Sequence, residues 1–233
     1  MGIVALQQRL QNLCGTELVV TGGSPQTQVH MLSAELALTA GWTVQRRAQF
    51  ALGRTIARRA IAGLGRVGSS ILMDADGAPV WPNGVVGSIT HKRQNCLVAV
   101  AFSTRFHGIG VDLEDDAVDA AEDVIIQSVC TFPSERAVSP GVNAACRSPG
   151  TLVLTCKEAI YKALFPTARV DIGWEDIEVV IRSPHRFVGH WHAQRSFTWC
   201  IEGVLVVEGG WLAALVTLSG NHFSGLARDL SNV

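Results

Sequence analysis

The chain has 233 residues, of which 48% are hydrophobic and 17% charged, and its formal net charge at pH 7 is -1. This composition is typical of an ordered globular protein rather than a disordered tail. The near-neutral balance excludes a broadly basic surface, so we expect no nucleic-acid or membrane partner, and any anion binding must be local. The N-terminus lacks a signal-peptide pattern, and the longest apolar run, residues 204–218, is too short to span a bilayer. We therefore expect a cytoplasmic protein.

The cysteines and histidines give no metal signature. Six cysteines are scattered without any C-x-x-C or C-x-x-H pair, which favours reduced thiols. His190 and His192 stand at i and i+2, and with no nearby cysteine or acidic ligand we expect them to be structural.

The first half contains two predicted helices. Residues 24–40 follow a Gly-Gly-Ser-Pro turn, with Ser24 as N-cap and Pro25 at the first helical position. Residues 44–64 carry a broad apolar stripe, and the other faces of this helix carry Arg46, Arg47, Arg54, Arg58 and Arg59. No acidic residue of this helix neutralises the five arginines. Either their partners lie elsewhere in the fold, or they bind a phosphate-rich ligand.

A turn-rich run at residues 77–84 precedes two predicted strands, at 85–91 and 96–102, in a hairpin-like arrangement. Thr90 and His91 stand at the end of the first strand. A hydroxyl beside an imidazole there can contact a phosphate, although a lone histidine is more often structural. Residues 117–150 contain Pro133, Pro140 and Pro149, which predict a loop-rich region.

The stretch Gly108-Ile-Gly-Val-Asp-Leu-Glu-Asp-Asp116 has the alternation of a strand. Asp112 and Glu114 would share one face, with Val111 and Leu113 on the other. Their carboxylates would lie roughly 7 Å apart, close enough to share one divalent cation. The alternative is a strand that ends in a solvated acidic loop.

A helix is predicted for residues 152–165, ending at Pro166. It places Glu158 and Lys162 at i and i+4 on one face. Short strands follow at 177–181, 187–192, 197–201 and 211–218. Each half therefore reads as a helix followed by strands. This predicts an α+β fold, which is either two similar α/β subdomains with pseudo-two-fold symmetry, residues 1–107 and 108–233, or one pseudo-symmetric domain.

Three carboxylates (Asp112, Glu114 and Glu158), one lysine and an arginine-rich helix form a coherent set for magnesium-assisted chemistry on a phosphate ester. Mg²⁺ prefers hard oxygen ligands, and lysine and arginine neutralise phosphate charge. Gly108-x-Gly110 lacks the third glycine of a dinucleotide loop, so we reject that interpretation.

Four sequence blocks then occur in order. They are Arg46-Arg-x-x-Phe-x-x-x-Arg-x-x-Ala-Arg58, Trp81-Pro-x-Gly-x-x-Gly-Ser-Ile-Thr-His91, Gly108-Ile-Gly-Val-Asp-Leu-Glu114, and Lys157-Glu-Ala-x-Tyr-Lys-Ala163 with Phe165-Pro166. With these blocks the chain resembles the 4′-phosphopantetheinyl transferases of the surfactin/enterobactin type. The resemblance implies the fold of that family, with coenzyme A as substrate in a cleft between two similar halves and Mg²⁺ as cofactor.

The resemblance also implies residue roles. Asp112, Glu114 and Glu158 match the carboxylates that hold the metal on the coenzyme A pyrophosphate. Glu158 also matches the base for the carrier-protein serine, acting directly or through water, and Lys162 matches the lysine that contacts the pyrophosphate. The catalytic pair implied is thus Glu158 and Lys162. The implied coenzyme contacts are Arg47, Arg54, Arg58, Thr90, His91 and Lys162.

One position departs from the family pattern. Members often carry Lys just before the Gly-x-Pro-x-Trp-Pro segment, where this chain has Asp74, Ala75 and Asp76. Either another base replaces that phosphate contact or coenzyme A binds more weakly.

The expected activity is transfer of 4′-phosphopantetheine from coenzyme A to a serine of an apo acyl or peptidyl carrier protein, with release of 3′,5′-ADP. The resemblance implies carrier domains of polyketide, nonribosomal peptide or siderophore synthases as partners, and we expect a monomer. Two alternatives stay open, namely another Mg²⁺-dependent phosphoester hydrolase and a non-catalytic module that binds coenzyme A or a carrier protein.

Overall fold

Two antiparallel sheets, each packed against one long helix, form the frame of the computed structural model. The structure describes residues 2–117, 122–136, 146–169, 172–193 and 197–219. The helices are α1 (Gly2–Cys14), α2 (Ser33–Leu38), α3 (Val44–Gly63), α4 (Glu122–Val129), α5 (Pro133–Arg136) and α6 (Pro149–Ala168), with a 3₁₀ turn at Trp174–Asp176. The strands are β1 (Leu18–Gly23), β2 (Leu72–Met73), β3 (Pro79–Val80), β4 (Val85–Lys92), β5 (Asn95–Phe102), β6 (Phe106–Asp115), β7 (Ile177–Ser183), β8 (Arg186–Ala193), β9 (Phe197–Glu208) and β10 (Trp211–Ser219).

The order of elements repeats between the two halves. The first sheet has the order β1-β5-β4 and the second has the order β6-β10-β9-β8-β7. In each sheet the strand before the long helix pairs with the last strand of that half, and the last strand pairs with the one before it. The long helix is α3 in the first half and α6 in the second. The predicted fold class, α+β with two similar α/β halves, is confirmed.

One hydrophobic cluster joins the halves. Helix α1 contributes Ile3, Leu6 and Leu10, and these pack with side chains of β1, β5, β6, β9 and β10. Two further clusters lie under α3 and α6 respectively. The division at residues 107 and 108 stays a prediction, and the shared cluster lies across it.

Helix α6 lies unusually close to β6, because two glycines on the strand face it. A Cβ atom on Gly110 would lie 1.7 Å from the carbonyl oxygen of Ala159, and one on Gly108 would lie 2.4 Å from that of Ala163. Real Cβ atoms do not approach backbone this closely, so both positions require glycine. The two glycines of the Gly108-x-Gly110 pair therefore permit helix and strand to touch.

Several element boundaries differ from the sequence predictions. Only Ser33–Leu38 of the predicted helix 24–40 is helical, because Thr27 and Ser24 bond to each other in a turn at Pro25. The predicted loop 117–150 contains α4 and α5, and α5 begins at Pro133, where a missing N–H is tolerated. Helix α6 passes Pro166 and ends where Arg169 takes a left-handed conformation (φ 52°) and donates its N–H to the Phe165 carbonyl. Proline in the last turn removes only one helical hydrogen bond.

Other elements were missed or too short. Helix α1 and strand β1 were not predicted, and β9 continues seven residues past its predicted end at Ile201. The tail from residue 220 lies outside the described residues. In the described part of the chain, no helix is long and apolar enough to cross a bilayer.

Candidate active site at the junction of the two sheets

Strand β6 separates core residues from polar ones. Val111 and Leu113 are fully buried in the shared cluster. Asp112 and Glu114 alternate with them and face a cavity on the other side. The predicted alternation of this strand is confirmed.

Helix α6 brings its own polar residues to the same cavity. The Lys162 ammonium lies 2.6 Å from Asp112 Oδ1 and 3.8 Å from Glu158 Oε2. From β4, the Thr90 hydroxyl donates to the same Asp112 oxygen at 2.9 Å. Residues far apart in the chain therefore meet at one carboxylate.

The cavity has a volume of about 370 Å³ and is open to solvent on one side. Its lining residues are Ile89, Thr90, His91, Asp112, Glu114, Leu154, Glu158 and Lys162. Six predicted site residues are therefore neighbours, although their functional roles remain predictions.

Electrostatic repulsion between the carboxylates is only partly relieved. Burial raises the pKa of Glu158, the Lys162 ammonium lowers it, and the charges of Asp112 and Glu114 raise it further. Burial also raises the pKa of Glu114, although its ion pair with Lys92 opposes this. The site therefore carries more negative charge than its two lysines balance.

These residues fit a divalent cation. Oδ2 of Asp112 is buried and has no hydrogen-bond partner, which leaves a hard oxygen donor free. Within the described ranges, no three His, Cys, Asp or Glu side chains are already arranged as a metal site. At this position Lys162 pairs with Asp112, and Lys92 pairs with Glu114. A cation would relieve the remaining repulsion by competing with these lysines.

His91 is held as a neutral imidazole. Burial lowers its pKa to about 4, with a further lowering from the charges of Arg54 and Lys162 and an opposing hydrogen bond to the Gln49 backbone. Its Nε2 atom is buried without a hydrogen-bond partner and packs against Gly53 of α3. A nearby anion would favour the protonated form, so anion binding and protonation at His91 are coupled.

A second cavity of about 300 Å³ adjoins the first, since Ile89 and Lys162 line both. It is largely apolar, and its walls come from the 76–81 segment on one side and the end of α6 on the other. Its aromatic lining residues are Trp81, Tyr161 and Phe165. No sequence pattern had marked this cavity, because its walls are assembled from both halves.

The predicted arginine contacts lie elsewhere on α3. Arg54 is 4% exposed and donates to the carbonyls of Ile71 and Leu72. Arg58 bonds the buried carboxylate of Glu35 at 2.5 and 2.6 Å. Arg47 is exposed and donates to the Thr39 carbonyl at 3.2 Å. None of the three lines either cavity. The guanidinium groups of Arg54 and Arg58 thus have hydrogen-bond partners within the protein. Contacts of all three arginines with a nucleotide remain predictions.

Asp116 fixes the start of α6, a role that the sequence did not reveal. It is 4% exposed, and its Oδ1 accepts from the backbone N–H groups of Arg147 at 2.8 Å and Ser148 at 3.1 Å. These groups stand at the positive N-terminal end of the helix. No local pattern could have shown this, since the partners are 31 and 32 residues away.

Comparison with known proteins assigns the chain to a family. Residues 34–101 match a model of the 4′-phosphopantetheinyl transferase N-terminal domain, and residues 108–216 match the 4′-phosphopantetheinyl transferase superfamily. The chain belongs to this superfamily. The suspected family resemblance is thereby confirmed, and the two matched regions contain every predicted site residue.

Individual members of the superfamily are similar over about two thirds of this chain. The transferase Npt of Nocardia iowensis is 36% identical over 146 residues, 63% of this chain and 64% of the relative. PptT of Mycobacterium tuberculosis is 31% identical over 152 residues, 65% of this chain and 66% of the relative. Svp of Streptomyces mobaraensis is 31% identical over 163 residues, 68% of this chain and 64% of the relative. The chain thus matches slightly less than two thirds of the length of these relatives.

Proposed function

We propose that the protein transfers 4′-phosphopantetheine from coenzyme A to a serine of an apo acyl or peptidyl carrier protein and releases 3′,5′-ADP. The observation that supports this best is the meeting of Asp112, Glu158 and Lys162 in one cavity of a chain from this superfamily. The three curated relatives are all named 4′-phosphopantetheinyl transferases.

The proposed metal is Mg²⁺, held by Asp112, Glu114 and Glu158. The free Oδ2 of Asp112 and the mutual repulsion of the carboxylates support this choice. When bound, the cation would polarise the phosphoryl group and offset charge on the pyrophosphate.

Glu158 is the proposed base. Its raised pKa makes its carboxylate a stronger proton acceptor than an exposed glutamate, while solvent access lets a serine reach it. The serine hydroxyl loses its proton to Glu158 as its oxygen bonds to the β-phosphorus. The bond from that phosphorus to the bridging oxygen breaks, and 3′,5′-ADP leaves with the electron pair.

Lys162 is the proposed partner of the leaving group. Its ammonium already lies 2.6 Å from a carboxylate, so it is positioned toward negative charge before any substrate arrives. Because it lines both cavities, it can contact a pyrophosphate lying between them. Thr90 and His91, and the exposed Arg47, are proposed to contact the other phosphates.

Intact mass spectrometry tests the proposal. The protein would be incubated with coenzyme A, Mg²⁺ and a panel of apo carrier proteins, and one carrier should gain the mass of a single 4′-phosphopantetheine. A phosphoester hydrolase would instead release free phosphopantetheine without any carrier. A non-catalytic module would bind coenzyme A without changing the mass of a carrier. Either result would overturn the proposal.

The matched variant is Asp112→Asn, which keeps the shape of the side chain but removes its charge. Transfer should fall by about a thousandfold or more, since both the metal and Lys162 lose a partner. Asp112 is 4% exposed, but asparagine can still accept the Thr90 hydrogen bond and Lys162 keeps Glu158 as a partner, so the urea unfolding midpoint should change little. Normal turnover of Asp112→Asn with Mg²⁺ would show that the metal assignment is wrong.

A further inference from the structure

The three residues Asp74, Asp76 and Arg169 join the two halves beside the apolar cavity. Arg169 Nη2 lies 2.7 Å from Asp74 Oδ2, and its Nη1 lies 2.6 Å from Asp76 Oδ2. Asp74 and Asp76 belong to the first half, whereas Arg169 caps the C-terminal end of α6. The two aspartates stand in the segment where the family resemblance led us to expect a lysine.

Each member of this clasp, meaning Asp74, Asp76 and Arg169, is also held by contacts other than the ion pairs. The other oxygen of Asp74 accepts the backbone N–H groups of Asp76 and Ala78, which fixes the turn. Arg169 has a left-handed backbone conformation that is anchored by its N–H bond to Phe165. Its guanidinium also lies over the Phe165 ring, 5.4 Å from the centroid.

Such pre-organisation matters because exposed ion pairs are usually weak. Side chains that must be ordered lose entropy on pairing, and a single exposed pair contributes little. Here one guanidinium engages two carboxylates through separate nitrogens, so the three charges form a network. The hydrogen bond from Arg169 lowers the pKa of Asp74, and the same bond raises the pKa of Arg169.

The clasp connects the two walls of the apolar cavity. Residues 76–79 and Trp81 form one wall, and Phe165 and Pro166 form the other. Lys162 lies on the same helix as Arg169 and lines this cavity as well. Opening the clasp would release the first wall from the helix that carries Lys162.

We propose that Asp74, Asp76 and Arg169 act as a positioning clasp that holds the two cavity walls at the separation required by coenzyme A. This inference rests on the proposed function. Arg169 is a positioning residue, not a phosphate ligand, because two carboxylates surround its single positive charge and leave the cluster net negative.

The test compares Arg169→Gln with the double variant Asp74→Asn/Asp76→Asn. Both open the clasp, but the first leaves two negative charges and the second leaves one positive charge. Positioning predicts that the KM for coenzyme A rises about fivefold or more in both variants, with kcat within about twofold of the wild type. If Arg169 acted only through its charge, the second variant would lower KM instead, and that result would overturn the proposal. An unchanged KM in both variants would overturn it too.

The matched control is Arg9→Gln. Arg9 pairs with Glu208 at 2.9 Å, joins the same two halves, and has a side-chain exposure of 47%, close to the 46% of Arg169. Neither residue of that pair lines either cavity. Its loss should leave the KM for coenzyme A unchanged.

Hydrogen exchange separates failure of the clasp from failure of the proposed function, because it needs no activity. Amide protons of residues 74–78 should exchange several-fold faster in Arg169→Gln than in the wild type or in Arg9→Gln. Unchanged exchange would show that the ion pairs do not hold the segment. Faster exchange in a protein that transfers nothing would count against the proposed function alone.

Discussion

Lys157 and Lys162 belong to one sequence block, yet their side chains lie in different environments. Lys162 faces the candidate active site, whereas Lys157 is completely buried on another side of α6. The Lys157 ammonium donates to the carbonyls of Val129 and Trp174, both at 2.8 Å, and to the carboxylate of Glu135 at 3.0 Å. Burial lowers the pKa of Lys157, and the ion pair with Glu135 opposes that shift. Lys157 therefore links α5 and the end of α4 to α6.

Replacing Lys157 by Met should destabilise the protein by about 3–5 kcal/mol, because the buried Glu135 carboxylate would lose its counter-ion. The free energy of unfolding in urea would measure this. Arg9→Gln, which breaks an exposed pair, should cost less than about 1 kcal/mol. Equal costs for the two variants would refute the structural role of Lys157.

His91 gives the folded state a dependence on pH. Its folded-state pKa of about 4 lies below its ordinary value of 6.5. Between these values the unfolded chain binds more protons, so stability should fall as the pH drops from 6.5 to 4. Urea unfolding midpoints of the wild type and His91→Asn check this, and the decrease should be smaller in the variant. Parallel curves would show that other groups cause the whole decrease.

The positions of residues relative to one another were predicted correctly where they follow from the periodicity of one strand or helix. Strand alternation placed Asp112 and Glu114 on one face, and the i, i+4 spacing placed Glu158 and Lys162 together. The arginines on α3 show the limit. Arg58 finds Glu35 on a helix whose position the sequence did not reveal, and Arg54 finds backbone carbonyls 17 and 18 residues away. Nothing in the spacing of arginines indicates whether such partners exist.

At the scale of elements, close contact between β6 and α6 determines the separation of the proposed catalytic groups. Two carboxylates come from the strand and Glu158 and Lys162 from the helix, so any change in packing distance alters the Lys162–Asp112 contact of 2.6 Å. Gly108 and Gly110 permit this distance, because the helix backbone occupies the space where their side chains would lie.

Gly110→Ala should therefore cost at least about 3 kcal/mol or prevent folding, since the added methyl group meets backbone that cannot move aside. Thermal unfolding measures the loss. Gly22→Ala on β1 is the matched control, because its nearest contact would be the flexible end of Gln7 at 3.3 Å. Similar stability of the two variants would mean that helix and strand can separate at little cost.

The bounds of helices and strands were predicted well where the hydrophobic pattern extends over many residues. Helix α3 and the β4–β5 hairpin lie within two residues of their predicted bounds. Helix α1 was not predicted, although Ile3, Leu6 and Leu10 have helical spacing. Pro166 predicts the end of a helix, whereas the last turn of α6 tolerates a missing N–H.

At the scale of the whole molecule, α1 stabilises both halves at once. Leu6 and Leu10 are fully buried among strands of both sheets. Because this hydrophobic cluster contains residues of both halves, neither half can unfold without exposing buried side chains of the other. We expect the halves to unfold together.

Leu10→Ala should lower the free energy of unfolding by about 2–5 kcal/mol, as the loss of a buried leucine leaves a cavity. Far-ultraviolet circular dichroism and tryptophan fluorescence should report one shared transition in the wild type and in the variant. Two separated transitions would show that residues 1–107 and 108–233 unfold as independent domains.

Asp116 has a consequence for protein engineering. It comes two residues after Glu114 and directly follows the end of β6, so β6 supplies two carboxylates to the cavity and the next residue supplies the one that holds the start of α6. A chimera that took α6 from a relative but kept this β6 would combine a helix with a strand fitted to different contacts. The two elements should be exchanged as a single cassette, and the strand must extend to residue 116.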